Sequence, residues 1–343
     1  NIYAYTFGVD TPMPDFAQTD CLILWGHNPS STWLSFASRV AKAKARGAKL
    51  IIIDPRRAGL AVKADEWLRV RPGSDGALAL GLANLLIEEQ HFDAAFVRKW
   101  TNGPLLVGSD GTMLHGCDIV ANADPKLRVA WDTKVEKPVL YDPESGVYKD
   151  EWTTLALTGH YEILGANGTT VRCKPAFELY AESCRAYTPE HVETITWIPA
   201  DQLRATARLI FESNAVSSFS WSGVGQHSNA SQTSRSIALL YALTGSFDLP
   251  GGNVIFDTIP VEDISGANLL SPKQLVKALG ITDRPMGPAK SGWITTDDLY
   301  RAILDKTPYQ IKGMINFGSN ILVSHTDTKR GILALKALEF VVH

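Results

Sequence analysis

Three stretches near the start of the chain decide its fold: CLILWGHNP at residues 21–29, KLIIIDPRR at 49–57 and RPGSDGALALG at 71–81. Each stretch places polar residues or glycines directly after an apolar run with the length of a buried strand. In open α/β sheets, ligands bind outside the carboxyl ends of the strands. The three strand ends therefore predict one extended, nucleotide-type site.

The segments around these stretches alternate between strands and helices. A helix predicted to begin at Pro29 separates the strand at 21–25 from the strand at 50–53, which makes a βαβ unit with parallel strands. A third strand is predicted over 66–70. Residues 101–186 are rich in turn formers and short β-leaning pieces, so we expect a loop-rich insertion with a few antiparallel strands. The predicted fold class is α/β, with two Rossmann-like domains whose mostly parallel sheets are covered by helices.

A chain of 343 residues has room for roughly two domains. We expect a first domain over 1–213, which carries the insertion at about 101–186, and a partial second domain over 214–343. The chain starts without Met and stops inside what reads as an unfinished α/β unit, so both termini are expected to be incomplete. Localisation cannot be read from such a start.

Composition excludes several classes of function. The net charge of -3 gives no support for nucleic-acid binding, which favours a basic surface. Because no apolar stretch approaches the ~18 residues that span a bilayer, no direct membrane span is expected. The four cysteines have neither CxxC nor zinc-ligand spacing, so we expect reduced thiols and no metal ligands among them.

The ordered series of segments resembles the molybdopterin oxidoreductase family, also called the dimethyl sulfoxide reductase family. Besides 25–29 and 50–57, the matching segments are ADEWLRVRPGSDGALALGLANLLIEE at 64–89, FDAAFVRKWT at 92–101, YTPEHVETITWIPADQLRATARL at 187–209, WSGVGQ at 221–226, LLYALTGSFDLPGGNV at 239–254 and INFGSNILVSHTD at 315–327. The resemblance implies the central portion of a catalytic subunit. That subunit would use molybdenum or tungsten, held by bis(molybdopterin guanine dinucleotide), for two-electron or oxygen-atom transfer on a small-molecule substrate.

The resemblance also implies contacts between the strand ends and one dinucleotide. Asn28 follows the first strand, where its amide can bond a phosphate or ribose oxygen. Asp54 follows the second strand and can accept bonds from ribose hydroxyls, and Arg56 is a candidate partner for phosphate or base. Asp75 is the candidate for guanine, because a carboxylate accepts two parallel bonds from the N1–H and the exocyclic amine.

Glycines and a later group of residues complete the predicted site. Gly26 and Gly73 would let the ligand approach the backbone closely. The residues matched to the second dinucleotide are Gly223 and Gln226, near the pterin and metal, and Gly318, Asn320 and Ser324, in the family's glycine–asparagine–serine segment.

The chain also departs from the family pattern. The usual metal ligand and the cysteines of an iron–sulfur cluster would fall before Asn1, so no catalytic or metal-binding residue is assigned in this chain. The resemblance implies an iron–sulfur cluster in that preceding region, an electron-transfer iron–sulfur subunit as partner, and a cytoplasmic or periplasmic location in a prokaryote.

Several alternatives stay open. His27 either contacts pterin or phosphate or is bonded locally in its loop, and His227 either lies near the metal or has no direct catalytic role. Asp54 and Asp75 could be helix caps, and Trp25 and Trp33 could be core residues.

Other functions also stay open. The whole protein could be a non-redox hydratase or hydroxytransferase of the same family, or this chain could be a cofactor-binding module without catalysis. A nicotinamide fingerprint at Gly223–Ser228 is rejected, because Ser228 stands where the third glycine belongs.

Overall fold

The computed structural model of the chain describes residues 2–9, 11–148, 151–256, 260–262, 266, 269–285 and 287–343. The chain divides into two compact units, Asn1–Asp257 and Thr258–His343. This division differs from the predicted boundary between 213 and 214. The reason is that strand Val216–Ser220 pairs in parallel with Cys21–Trp25, which places it in the sheet of the first unit.

The first unit contains both helices and strands. Its helices are α1 (Ile2–Phe7), α2 (Pro29–Thr32), α3 (Leu34–Ala45), α4 (Asp75–Glu88), α5 (Ala94–Trp100), α6 (Gly116–Ile119), α7 (Ala176–Arg185), α8 (Pro189–Thr196), α9 (Ala200–Phe211), α10 (Ser222–Gly225) and α11 (Ala230–Thr244). Its strands are β1 (Met13–Pro14), β2 (Cys21–Trp25), β3 (Lys49–Ile53), β4 (Glu66–Leu68), β5 (Leu106–Gly108), β6 (Arg128–Asp132), β7 (Lys137–Asp142), β8 (Val147–Tyr148), β9 (Tyr161–Leu164), β10 (Thr170–Pro175), β11 (Val216–Ser220) and β12 (Asn253–Val254).

A four-stranded parallel sheet in the order β11-β2-β3-β4 is the frame of the first unit. All five residues of β2 are buried, as expected for a strand covered on both faces. Leu78, Leu82 and Leu86 of α4 pack into the larger core, on the face of the sheet that includes Ile23. The α/β fold class predicted from the sequence is confirmed.

The helix predicted after β2 is broken at Trp33. Helix α2 ends at Thr32, and α3 begins at Leu34, because Trp33 has a non-helical backbone with φ -151° and ψ 77°. Its ring packs against Phe36, with ring centroids 5.2 Å apart. The apolar spacing predicted the helix correctly but gave no sign of this break.

Residues 101–186 contain two three-stranded antiparallel sheets, in the orders β5-β10-β9 and β6-β7-β8. Antiparallel strands were expected here. The last part of the predicted insertion nevertheless belongs to the main core, because Phe177, Ala181 and Cys184 of α7 are buried there.

The second unit is smaller. Its α-helices and strands in the described residues are α12 (Pro272–Leu275), α13 (Thr296–Leu304), β13 (Gly313–Ile315), α14 (Ile321–Ser324), α15 (Thr328–Ala337) and β14 (Phe340–Val342). Strands β13 and β14 pair in parallel, and Tyr300, Ile303 and Ala334 form a small core. In the part of the chain that the structure describes, no helix has both the length and the apolar character to cross a bilayer.

Candidate functional site

A cavity of about 320 Å³ opens where β2 and β3 end at the carboxyl edge of the parallel sheet. Asn28, Asp54 and Arg56 all line it. The sequence predicted each of these residues separately, and the parallel pairing of Trp25 with Ile53 brings the two strand ends side by side. The structure therefore gathers three predicted contact residues around one space.

The wall of this cavity includes an unpaired acceptor and a cation. The Asn28 amide donates to Ser31 Oγ over 3.3 Å, while its Oδ1 is buried without a hydrogen-bond partner. Asp54 Oδ1 accepts from the Arg56 backbone N–H at 2.8 Å, which holds the turn after β3. Arg56 is exposed and forms no ion pair within the described residues. Such a wall fits a ligand that carries hydroxyl donors next to an anionic group.

His27 lies at the same cavity and is almost completely buried, with 2% of its surface exposed. Neither of its ring nitrogens has a hydrogen-bond partner in the described structure. Burial lowers the pKa of His27 from 6.5 to about 4, so the imidazole is neutral at pH 7. The local hydrogen bond that the sequence left open as its role is not formed.

Gly26 and Gly223 have a packing role that the sequence did not reveal. A Cβ on Gly223 would lie 2.8 Å from both the Cα and the carbonyl oxygen of Gly26. The Gly223 N–H donates to that carbonyl at 3.1 Å. The segments after β2 and β11 can therefore approach this closely only if both residues lack side chains.

The turns that follow β4 and β11 lie close to each other at Gly73 and His227. Gly73 has φ +86°, in the left-handed region, and a Cβ there would lie 3.6 Å from His227 Nδ1. Gln226, the neighbouring predicted contact, is exposed to solvent. The residues in this part of the carboxyl edge are thus available to a ligand.

Asp75, the guanine candidate, is the first residue of α4 and is 5% exposed. Its Oδ1 accepts a hydrogen bond of 2.7 Å from the indole N–H of Trp25. Trp25 itself is buried in the core, which was one of its two predicted roles. Ser74, the residue before α4, makes no side-chain cap bond and instead donates to the Arg71 carbonyl.

The remaining predicted contacts lie in the second unit. Gly318 has φ +60°, Asn320 directly precedes the short helix α14, and Ser324 is the last residue of that helix. All three are exposed. They lie just after β13, as the sequence predicted for the second group of contacts.

Two arginine–tryptophan pairs at the carboxyl edge were missed by the sequence analysis. The Arg57 guanidinium lies 5.5 Å from the centre of the Trp67 ring, and the Arg71 guanidinium lies 5.4 Å from that of Trp197. The Trp67 indole also donates to the Asp54 carbonyl at 2.9 Å. Arg57 follows Arg56 directly in the DPRR segment, and these two adjacent arginines were the feature of the sequence that could have indicated the first pair.

Cysteines and clustered acids contribute no site in the residues that the structure describes. The four cysteines are free, and burial raises the pKa of Cys21 to about 12 and that of Cys173 to about 11. Within the same described ranges, no three His, Cys, Asp or Glu side chains are grouped so that they could hold a metal ion.

The parallel sheet and the cavity at its carboxyl edge define the class: an α/β protein with a cavity at the sheet edge where ligands bind in such folds. A model of the molybdopterin oxidoreductase family matches residues 2–343. The chain belongs to the molybdopterin oxidoreductase family. The resemblance seen in the sequence is thereby confirmed, and membership implies a molybdopterin cofactor with molybdenum or tungsten.

Several curated proteins are similar to this chain. Dopamine dehydroxylase of Eggerthella lenta is 27% identical over 85% of this chain and 37% of its own length. Perchlorate reductase subunit alpha of Dechloromonas aromatica is 30% identical over 70% of this chain and 29% of its own length. The probable dimethyl sulfoxide reductase chain YnfF of Escherichia coli is 33% identical over 73% of this chain and 25% of its own length. The chain thus spans between a quarter and about two fifths of these relatives.

Among solved structures, acetylene hydratase from Pelobacter acetylenicus is similar with a TM-score of 0.68. The match covers 99% of this chain and 40% of that protein, at 21% sequence identity. A likeness at this identity supports the shared fold alone.

Proposed function

We propose that this chain is part of a molybdenum- or tungsten-dependent oxidoreductase and holds portions of bis(molybdopterin guanine dinucleotide). The observation that carries the proposal is the cavity at the carboxyl edge, where Asn28, Asp54 and Arg56 meet. Its unpaired buried acceptor and its unpaired cation fit a phosphorylated sugar better than an apolar substrate.

Different residues of the first unit would contact different parts of one dinucleotide. Asn28 Oδ1 and the Asp54 carboxylate would accept bonds from ribose hydroxyls, and Arg56 would pair with phosphate. Asp75 would use the carboxylate oxygen that Trp25 leaves free, together with Oδ1, to read guanine. Gly318, Asn320 and Ser324 would contact the second dinucleotide. Gly223 and Gln226 match the segment that passes near the pterin and metal.

The cofactor would supply the two-electron or oxygen-atom transfer, and the residues of this chain would position it and exclude water. None of the cofactor-binding residues named here is proposed to bind the substrate. Relatives named as alpha subunits support a partner subunit, and we propose an electron-transfer iron–sulfur protein in that role. We further propose an iron–sulfur cluster in the whole protein and a cytoplasmic or periplasmic location in a prokaryote.

The test is chemical analysis of the purified whole protein. We expect molybdenum or tungsten, oxidised pterin and two equivalents of GMP released by acid hydrolysis for each metal ion, together with turnover that depends on an artificial electron donor or acceptor. Absence of GMP would contradict the dinucleotide assignment. Turnover without any electron carrier would indicate a hydratase or hydroxytransferase, and cofactor without turnover would indicate a binding module.

A further inference from the structure

Trp33 and Trp221 form an exposed aromatic face at the carboxyl edge of the parallel sheet. Trp33 separates α2 from α3, Trp221 directly follows β11, and the centres of their rings are 5.9 Å apart. Trp33 is 37% exposed and Trp221 is 47% exposed. Neither indole N–H donates a hydrogen bond within the described ranges. The face therefore offers aromatic surface and two free hydrogen-bond donors to a ligand.

Buried rings support this aromatic face from beneath. The ring centre of Phe219, a buried residue of β11, lies 6.1 Å from that of Trp33 and 5.7 Å from that of Trp221. The buried ring of Phe36 lies 5.2 Å from that of Trp33. Because the two indoles are already packed in place, a ligand that stacks on them would cost little further side-chain entropy.

The strand order places the aromatic face at a topological switch point. In the order β11-β2-β3-β4, the chain continues from β2 to β3 and β4 on one side, whereas β11 lies on the other side of β2. Ligands of open α/β sheets bind in the crevice outside the carboxyl ends of the strands at such a point. The segments after β2 and β11 carry the aromatic face, so it lies at this crevice.

Charge distinguishes the aromatic face from the neighbouring cavity. The segments that carry the two tryptophans, STWLS at 31–35 and WSGVGQ at 221–226, contain no charged residue. The cavity at the ends of β2 and β3 contains the cation of Arg56. A phosphate group would find no cation in either segment of the face, whereas a neutral ring can stack on an indole. The face therefore fits a neutral, planar molecule.

We propose that Trp33 and Trp221 bind the substrate of the enzyme, and that this substrate carries a neutral aromatic ring with an oxygen substituent. The ring would stack on the indoles, and the oxygen would accept a hydrogen bond from an indole N–H. This inference rests on the proposed function and adds to it the chemical class of the substrate. The tryptophans would bind and orient the ring, while the cofactor would supply the chemistry.

Phenol and cyclohexanol are the matched probes, because both carry a hydroxyl on a ring of the same size and only phenol is aromatic. Saturation-transfer NMR titrations measure the affinity of each probe for the purified whole protein loaded with its cofactor. We expect phenol to bind about three- to tenfold more tightly than cyclohexanol, because aromatic stacking adds to the free energy gained by burying the ring.

Substitutions in the aromatic face make the test specific. Trp33→Leu and Trp221→Leu should each weaken phenol binding about three- to tenfold and leave cyclohexanol binding unchanged. Trp221→Phe keeps a ring and should retain most of the affinity for phenol. Trp100→Leu is the control, because Trp100 is 68% exposed on α5 and lies outside the face. Melting temperatures identify the variants that remain folded.

The proposal is overturned if phenol binds no more tightly than cyclohexanol, or if Trp221→Leu and Trp100→Leu have the same effect. Loss of GMP from the Trp221→Leu variant also overturns it, because the face would then contact the cofactor. The metal and GMP content of the wild type separates the two hypotheses. Wild-type protein without them contradicts the proposed function and this inference with it, whereas normal content with equal affinities for the two probes contradicts only the aromatic site.

Discussion

Asp75 has a structural role beside the ligand-binding role that we propose for it. One of its carboxylate oxygens accepts from the buried indole of Trp25, at 2.7 Å. That bond fixes the side chain at the start of α4. A carboxylate that is held in place before a base arrives would lose less entropy on binding.

Substitutions at Asp75 should separate the two roles. Asp75→Asn keeps an oxygen for the Trp25 indole, so unfolding stability should change little, while guanine retention should fall because an amide cannot accept both bonds. Asp75→Leu should cost about 1–3 kcal/mol, since the buried indole N–H loses its partner. Urea unfolding and GMP content measure the two effects. Unchanged GMP content in Asp75→Asn would contradict the guanine assignment.

The buried imidazole of His27 predicts a dependence of stability on pH. Its pKa is lowered from 6.5 to about 4, so the unfolded chain binds more protons than the folded chain between these values. Stability is therefore fully present above pH 6.5 and falls as the pH drops toward 4, by up to about 3 kcal/mol. Carboxyls with lowered pKa values, such as Asp65 and Asp298, lose their contribution to stability as the pH falls below 3.8.

Urea unfolding of cofactor-free protein at several pH values checks this dependence. The slope between pH 6.5 and 4 should be much smaller in His27→Phe than in the wild type. An equal slope in both proteins would show that His27 is not the group responsible.

At the scale of elements, close contact between segments positions the site. The ends of β2 and β11 meet through Gly26 and Gly223, and this contact helps to position the cavity wall that follows β2. The outer edge of β11 is covered by a side chain. The Asn253 amide bonds to both the N–H and the carbonyl of Ser218, each at 2.7 Å, and so replaces part of a neighbouring strand.

Gly223→Ala tests the contact between the strand ends. A methyl group 2.8 Å from Gly26 would force the two segments apart, at a cost of about 1–3 kcal/mol, and should weaken cofactor retention. Gly225→Ala is the matched control in the same short helix, because a Cβ there would have nothing within 4 Å. Equal unfolding midpoints for the two variants in urea would contradict this account.

At the scale of the whole molecule, charge is unevenly distributed. The net charge of the chain is -3, yet the carboxyl edge carries Arg56, Arg57 and Arg71, none of which forms an ion pair within the described ranges. Arg57 and Arg71 instead lie over tryptophan rings. Unpaired cations beside a cavity raise the local concentration of an anionic ligand even when the whole molecule is acidic.

This charge distribution predicts salt-sensitive binding. The affinity of cofactor-free protein for GDP, measured by calorimetry, should fall as salt rises, because the screening length shortens from about 10 Å at 0.1 M to about 3 Å at 1 M. Arg56→Gln should weaken binding several-fold and reduce the salt dependence. Arg172→Gln, at a highly exposed arginine in the insertion, is the control. The idea fails if both variants bind GDP with the same affinity and salt dependence.

Much of the fold could be predicted because it depends on local patterns. The apolar runs of β2 and β3 and the helix start at Pro29 appear in the structure as expected. Packing information was missing, so the break at Trp33 and the membership of β11 in the first unit were not predicted. At the break, Trp33 contacts the distant rings of Phe219 and Trp221, and β11 joins the first unit by pairing with β2.

The sequence by itself determined the α/β class, the family and the strand ends at which Asn28, Asp54 and Arg56 lie, because each depends on residues close together in the chain. Only the tertiary structure decided that these strand ends enclose one cavity and that His27 lies in its wall with both nitrogens unpaired. The physical reason is that burial and hydrogen-bond pairing are properties of surroundings, and surroundings exist only once distant segments have packed together.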